Sequence, residues 1–251
     1  MIKAKKSLGQ NFLIDKNIAK KIALSANIKK EIIVEIGPGK GILTDEILKY
    51  KPKLLILIEK DKNLFEELKN KYHKINNIKI IHEDALYYNY SLIKNKFKVV
   101  ANLPYNISIK IIIQLLKINK NLSQIVAMIQ KDVADKMKYS NVIKKNRLNL
   151  FLEISSEYKS LFNVSNKVFR PQPKVLSSVI TIKPKSNQLI DLKKFEIFTR
   201  EIFKFKRKKL SNVLPKKLIK NNSNFILNLD KRAEDMNTEE LLNIFKEFYN
   251  F

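Results

Sequence analysis

The sequence predicts an α/β protein: a parallel sheet with helices on both faces, followed by a small helical domain. Two observations carry this. From residue 17 to about 140, short apolar runs rich in Ile, Leu and Val alternate with helix-length segments, and strands buried on both faces read as continuous apolar runs. Near residue 186 the strand signals stop, and Phe195, Phe198, Ile202 and Phe205 then follow a helical period. The expected domains are therefore 1–186 and 187–251.

In chain order, residues 17–27 read as a helix, and Glu31–Ile36 as a strand ending at Gly37, Gly39 and Gly41. A helix is expected over 42–50, a strand over Leu54–Ile58, a helix over 62–73 and a strand over Ile78–His82. Phe97–Ala101 is the fourth strand and runs into Asn102-Leu103-Pro104-Tyr105; a helix over 107–117 and a strand over Ile125–Ile129 follow. Residues 148–158 and 175–183 both read as strands, which fits an antiparallel hairpin at one edge of the sheet.

Composition limits the chemistry. The 251 residues are 45% hydrophobic, which supports a sizeable core without covalent staples. With no Cys, disulfides, thiolate zinc sites, cysteine-ligated iron–sulfur clusters and methyl transfer through a Cys nucleophile are excluded. His73 and His82 are too few for a His-rich site and read as ordinary residues, so no metal is expected. The net charge of +26 points to a polyanionic partner, although a chain this rich in Lys, Ile and Asn gains charge from composition alone. No apolar run reaches the ~18 residues of a membrane helix, and the basic start lacks the apolar segment of a secretory signal.

The loop Glu35-Ile36-Gly37-Pro38-Gly39-Lys40-Gly41 lies between a strand and a helix, where doubly wound sheets bind ligands. Its third glycine comes two residues after the second, not three. That spacing resembles a loop for S-adenosylmethionine and departs from a dinucleotide fingerprint; a plain tight turn is the alternative. Glu59 ends the next strand, placed to accept from both ribose hydroxyls, and Asp84 follows the third, placed to accept from an adenine amine.

The tetrad Asn102-Leu103-Pro104-Tyr105 ends the fourth strand. An exocyclic adenine amine is a poor nucleophile, because its lone pair is delocalised into the ring. Acceptors aimed at its two hydrogens draw the nitrogen toward tetrahedral geometry. The Asn102 side-chain oxygen and a backbone carbonyl at Leu103 or Pro104 could serve, with Pro104 stiffening the turn and Tyr105 stacking on the base. Read alone, the tetrad is also an ordinary strand-ending turn.

Further segments accompany these. The start reads Lys6-Ser7-Leu8-Gly9-Gln10-Asn11-Phe12-Leu13, and Glu83-Asp84-Ala85-Leu86 surrounds the second acid. Later come Val168-Phe169-Arg170-Pro171-Gln172-Pro173-Lys174-Val175, Lys206-Arg207-Lys208-Lys209-Leu210 and Arg232-Ala233-Glu234. Together, and in this order, they resemble the ribosomal RNA adenine dimethyltransferase family over nearly the whole chain.

The resemblance implies a Rossmann-like S-adenosylmethionine-dependent methyltransferase sheet and a helical RNA-binding domain. It implies cofactor contacts at Asn11, Leu13, Gly37, Glu59, Asp84 and Asn102, with the target adenine between Tyr105 and Phe169. Without it, Phe169 reads as a core aromatic. The implied substrate is 16S rRNA in the immature small subunit, dimethylated at two adjacent adenines of its 3′-terminal hairpin loop, late in subunit biogenesis. A cytoplasmic monomer is expected. Lys204–Lys209, five basic residues and one Phe, resembles an RNA-backbone contact, or is a solvated helix face. Leu176 and Glu83 depart from the family, which often has an acid and a Gly there; neither touches the proposed chemistry. Two rivals remain: a related large-subunit enzyme conferring macrolide resistance, and a non-catalytic RNA-binding factor such as an organellar transcription factor.

Overall fold

A computed structural model describes residues 5, 9–118, 120–140, 143–186, 190–214 and 229–249. Lys6, Ser7 and Leu8 of the opening motif lie outside these. The chain divides into two compact units, Met1–Ala134 with Tyr158–Pro184, and Asp135–Glu157 with Lys185–Phe251. The second unit thus draws in a segment from the middle of the chain, which the sequence pattern does not announce.

The first unit contains β1 (Phe12–Leu13), α1 (Lys16–Ser25), β2 (Ile32–Ile36), α2 (Ile42–Lys49), β3 (Leu54–Glu59), α3 (Lys62–Tyr72) and β4 (Ile78–His82). It continues through β5 (Phe97–Asn102), α4 (Ser108–Ile118) and β6 (Leu122–Gln130), and α5 (Lys131–Met137) leads out of it. After α6 (Arg147–Ser155) come β7 (Ser156–Val164), β8 (Phe169–Arg170) and β9 (Ser177–Pro184). The second unit holds α6, α7 (Leu192–Ile202) and α8 (Thr238–Tyr249).

The main sheet has the order β4-β3-β2-β5-β6-β9-β7. β4, β3, β2, β5 and β6 run parallel, and β9 joins β6 antiparallel. The chain enters the sheet at β2, builds outward through β3 and β4, then returns to the other side of β2 with β5. That reversal leaves a crevice beyond the carboxyl ends of β2, β3 and β5, where such sheets bind ligands. Every residue of β2 is buried, as expected of a strand covered on both faces. Asp15 and Asp61 start α1 and α3 by accepting two backbone N–H groups each, which fixes where those helices begin.

One element differs from expectation. Residues 147–155 form α6 and not a strand. Leu148, Leu150, Phe151 and Leu152 are all buried, so the run carries no polar face by which a period could be read. The deciding signal is a capping box, in which the Asn146 side chain accepts from the Asn149 backbone N–H while the Asn149 side chain accepts from the Asn146 N–H. The two strands at the sheet edge are β9 and β7.

Phe195, Phe198 and Ile202 line the buried face of α7, and in the second unit Phe195 meets Phe245 edge-on at 5.1 Å. Phe205 does not continue that face: α7 ends at Ile202, and Phe205 is exposed. Arg232-Ala233-Glu234 is part of this unit's frame, with Ala233 buried and the Glu234 carbonyl accepting the Lys145 N–H at 3.2 Å. Among the described residues no helix is long and apolar enough to cross a membrane.

Candidate active site

A cavity of about 340 Å³ opens in the first unit at the crevice beyond β2, β3 and β5. That lies within the usual range for small-molecule sites, about 300–1,000 Å³.

The glycine loop forms one wall. Gly39 and Gly41 take left-handed φ values of +58° and +77°, which side chains rarely adopt. Space is tight as well: a Cβ would lie 3.1 Å from the Phe12 ring at Gly39 and 2.3 Å from the Tyr72 hydroxyl at Gly41, so a neighbour would have to shift. Glu35, at the start of the loop, does not line the cavity. It is buried beneath, accepts from the Thr44 hydroxyl at 2.7 Å, and burial pushes its carboxyl up to about 8.

Glu59 sits at the end of β3 with one oxygen accepting the Gly39 N–H at 3.2 Å and the other the Asp61 N–H at 2.8 Å. It therefore holds the glycine loop in place and keeps a lone pair on each oxygen for the cavity. Burial raises its pKa, and the backbone N–H bonds from Asp61, Gly39 and Lys60 partly offset that. Asp84 accepts from Lys60 at 2.8 Å and from the Leu86 N–H at 2.9 Å. Burial pushes its carboxyl upward, but these bonds outweigh burial and hold it below the usual range, as a carboxylate. Two anchored carboxylates beside a glycine cradle fit a ligand with vicinal hydroxyls and an exocyclic amine, as S-adenosylmethionine has.

The tetrad lines the same cavity beside the loop, with Pro104 Cδ 3.9 Å from where a Cβ on Gly37 would lie. The Asn102 amide donates to the Asn11 carbonyl at 3.2 Å, so its nitrogen is committed and its oxygen is left as the acceptor. The Pro104 carbonyl closes a turn onto the Ile107 N–H at 3.2 Å, which uses one of its two lone pairs. The Tyr105 hydroxyl is 2.6 Å from that of Ser177, a buried residue at the start of β9. Burial raises the Tyr105 pKa and the Ser177 bond lowers it, with a net rise that keeps the phenol neutral.

Of the residues singled out from sequence, Asn11, Gly37, Glu59, Asp84, Asn102, Leu103, Pro104 and Tyr105 all line this one cavity. Leu13 and Phe169 do not. They face each other as partners in the β1–β8 ladder, and both are buried in the core. A fully buried ring presents no face to a base, so Phe169 in this arrangement packs the core beneath β1. Sequence reasoning missed Gln10, Phe12, Lys60 and Tyr87 in the lining, and Ser177 behind Tyr105. Lys60 could have been inferred from its position beside Glu59; nothing local marks Ser177. Among the described residues no cluster of His, Asp and Glu could hold a metal ion.

The family model for ribosomal RNA adenine dimethylases matches residues 1–250. The chain belongs to that family. It is 39% identical to the ribosomal RNA small subunit methyltransferase A of Sulfurihydrogenibium sp. (strain YO3AOP1), over 97% of this chain and 96% of that one. The protein of the same description from Malacoplasma penetrans (strain HF-2) is also 39% identical, over 98% and 93%. Among solved structures, a dimethyladenosine transferase from Plasmodium falciparum superposes with a TM-score of 0.79 at 25% identity, covering 95% of this chain and 98% of that one. The 23S rRNA methyltransferase ErmE superposes with a TM-score of 0.70 at 21% identity, over 94% and 99%, and shares the fold. As a family member, the protein is an S-adenosylmethionine-dependent rRNA adenine dimethyltransferase.

In this dimethyltransferase Glu59 both anchors the glycine loop and faces the cavity. Hydrogen bonds to a charged group are worth about 1.5–3 kcal/mol each, so Glu59→Ala should weaken S-adenosylmethionine binding by roughly 10- to 100-fold. Isothermal titration checks this, and an unchanged dissociation constant would remove Glu59 from the site.

Proposed function

We propose that the enzyme dimethylates the N6 amines of two adjacent adenosines in the 3′-terminal hairpin loop of 16S rRNA, within the immature small subunit, late in its assembly. It acts as a cytoplasmic monomer. The observation that carries this reading is the Asn102 amide, whose nitrogen is held by Asn11 so that its oxygen is presented as an acceptor. The small-subunit substrate is favoured over a large-subunit one by relatives 39% identical over nearly full length that are described as small-subunit enzymes.

S-adenosylmethionine supplies an electrophilic methyl group on a sulfonium. Glu59 would accept from its ribose hydroxyls and Asp84 from its adenine amine, while Asn11, Gly37 and Asn102 would complete its contacts; Leu13, buried beside them, would hold the segment that carries Asn11. The target adenine leaves the RNA stack, as bases must before such chemistry, and its face meets Tyr105, whose hydroxyl Ser177 holds. The Asn102 oxygen and the Leu103 or Pro104 carbonyl accept the two N6 hydrogens and localise the nitrogen lone pair toward the methyl. Positioning and preset dipoles do most of the work. No strong base is needed, because the methylated ammonium is acidic enough to lose its proton readily. Phe169 joins as the second stacking face only where its cover in the core is released.

Labelled S-adenosylmethionine with small subunits from a strain lacking the modification tests this. The expected product is dimethyladenosine near the 3′ end of the small-subunit RNA, identified by nuclease digestion and mass spectrometry. Label confined to large-subunit RNA would replace this reading with the resistance enzyme. Cofactor binding without any transfer, to these or earlier assembly states, would point to the non-catalytic factor.

The second unit serves as the RNA-binding domain in this reading, with Lys204–Lys209 on the phosphate backbone. If its five basic residues neutralise about five phosphates, affinity should fall on the order of 500-fold between 50 and 200 mM salt. A flat salt profile in a filter-binding series would exclude that contact.

A further inference from the structure

The basic stretch after α7 contains one residue that charge does not explain. Phe195, Phe198 and Ile202 account for the buried face of α7, and the helix ends there, with Phe203 as its C-cap and the Lys204 N–H tightening onto the Glu201 carbonyl at 3.2 Å. Phe205 falls outside that face and is 44% exposed. A ring almost half exposed forgoes much of the apolar burial that justifies a Phe elsewhere. Its surroundings are cationic: Lys208 Nζ lies 4.7 Å and Lys204 Nζ 5.5 Å from the ring centroid.

The nearby acids are engaged elsewhere. Glu201 faces Arg200, and Asp230 faces Lys209. Among the described residues no acid forms an ion pair with Lys204, Lys206, Arg207 or Lys208. The segment nevertheless has a fixed shape. The Lys208 N–H closes a turn onto the Phe205 carbonyl at 3.1 Å, and the Leu210 N–H binds the Lys231 carbonyl at 3.0 Å with the Leu210 side chain fully buried.

We propose that Phe205 is a base-stacking subsite for an unpaired nucleotide of the RNA substrate. A planar exposed ring among unneutralised cations matches a strand that offers a π-face and phosphates together. An acidic peptide would satisfy the cations but has no use for the ring, and a paired duplex would offer phosphates while hiding its base faces. On binding, the base displaces the two ammonium groups from the ring, and they move to the flanking phosphates. The inference rests on the RNA reading above and adds a contact that distinguishes single-stranded from paired RNA.

The chain has no Trp, so Phe205→Trp creates a single fluorescent reporter at the subsite. Full-length Phe205→Trp is titrated with an RNA hairpin bearing an unpaired loop and with a fully paired duplex of the same length. The expected result is strong quenching by the hairpin and little by the duplex. Phe205→Leu, which keeps apolar bulk but no ring, should bind the hairpin roughly 5- to 150-fold more weakly, the range spanned by base–aromatic stacking. Its S-adenosylmethionine affinity and its denaturant melt should both match the wild type, which confirms that the two units are folded. Wild-type binding to the hairpin combined with no quenching and no loss in Phe205→Leu overturns the subsite while leaving the RNA reading intact. Equal quenching by hairpin and duplex also overturns it, as does a blue shift on anionic vesicles in place of an RNA response. Failure of the wild type to bind either RNA removes the RNA reading itself.

Discussion

Asn102→Ala should lower turnover by at least about tenfold while RNA binding persists. The substitution removes the acceptor that draws one N6 hydrogen out of conjugation, and losing one preorganised polar group of this kind typically costs about 10²–10³ in rate. Single-turnover methyl transfer separates this from any change in binding. The Asn11 carbonyl sharpens the expectation. Asn102→Asp keeps an acceptor of the same shape but loses the donor that reaches Asn11 at 3.2 Å, and a carboxylate would instead face that carbonyl. Asn102→Asp should therefore be slow at neutral pH and recover toward acid pH, where a protonated carboxyl again donates to Asn11. Wild-type rates in both variants would sink the assignment of Asn102 as the aligning acceptor.

Phe169→Ala should cost about 3–5 kcal/mol of stability, the usual loss for deleting a buried ring. Phe169 is fully buried and lies opposite Leu13 in the β1–β8 ladder, so the cavity left behind would also loosen the segment that carries Asn11. Denaturant melts measure the loss. Phe169→Leu distinguishes packing from stacking. It refills most of the volume, so a variant of near-normal stability and activity assigns Phe169 to the core. Normal stability with a raised KM for RNA would return Phe169 to the base-stacking role.

Much of this architecture could be read from the residues, for reasons that differ by element. β2, β3 and β5 were legible because strands covered on both faces are largely apolar, and a glycine, acid or Asn at the end of such a run stands out. Glu59 and Asp84 were legible because strand ends in a doubly wound sheet converge on one crevice. α6 was not, because burial on all sides erased its period and left only Asn146 and Asn149 to mark its start. Nor were the bonds that orient the tetrad. Asn102 reaches a carbonyl 91 residues away and Tyr105 a hydroxyl 72 residues away, and no local pattern encodes either pairing.

The β1–β8 ladder also constrains when the active site can exist. Gly9, Gln10, Asn11 and Phe12 form part of the cavity wall and leave the ribosome well before the strands that complete it. Their antiparallel partner, Phe169–Arg170, and the Ser177 that holds Tyr105 are made only in the last third of the chain. Domains generally fold as units during synthesis, N-terminal parts first. Here residues 9–12 must wait for strands made much later. A nascent chain stalled before residue 169 can thus carry the glycine loop, Glu59, Asp84 and the whole tetrad and still lack the wall that aligns Asn102, so methyl transfer must await the synthesis of β8 and β9.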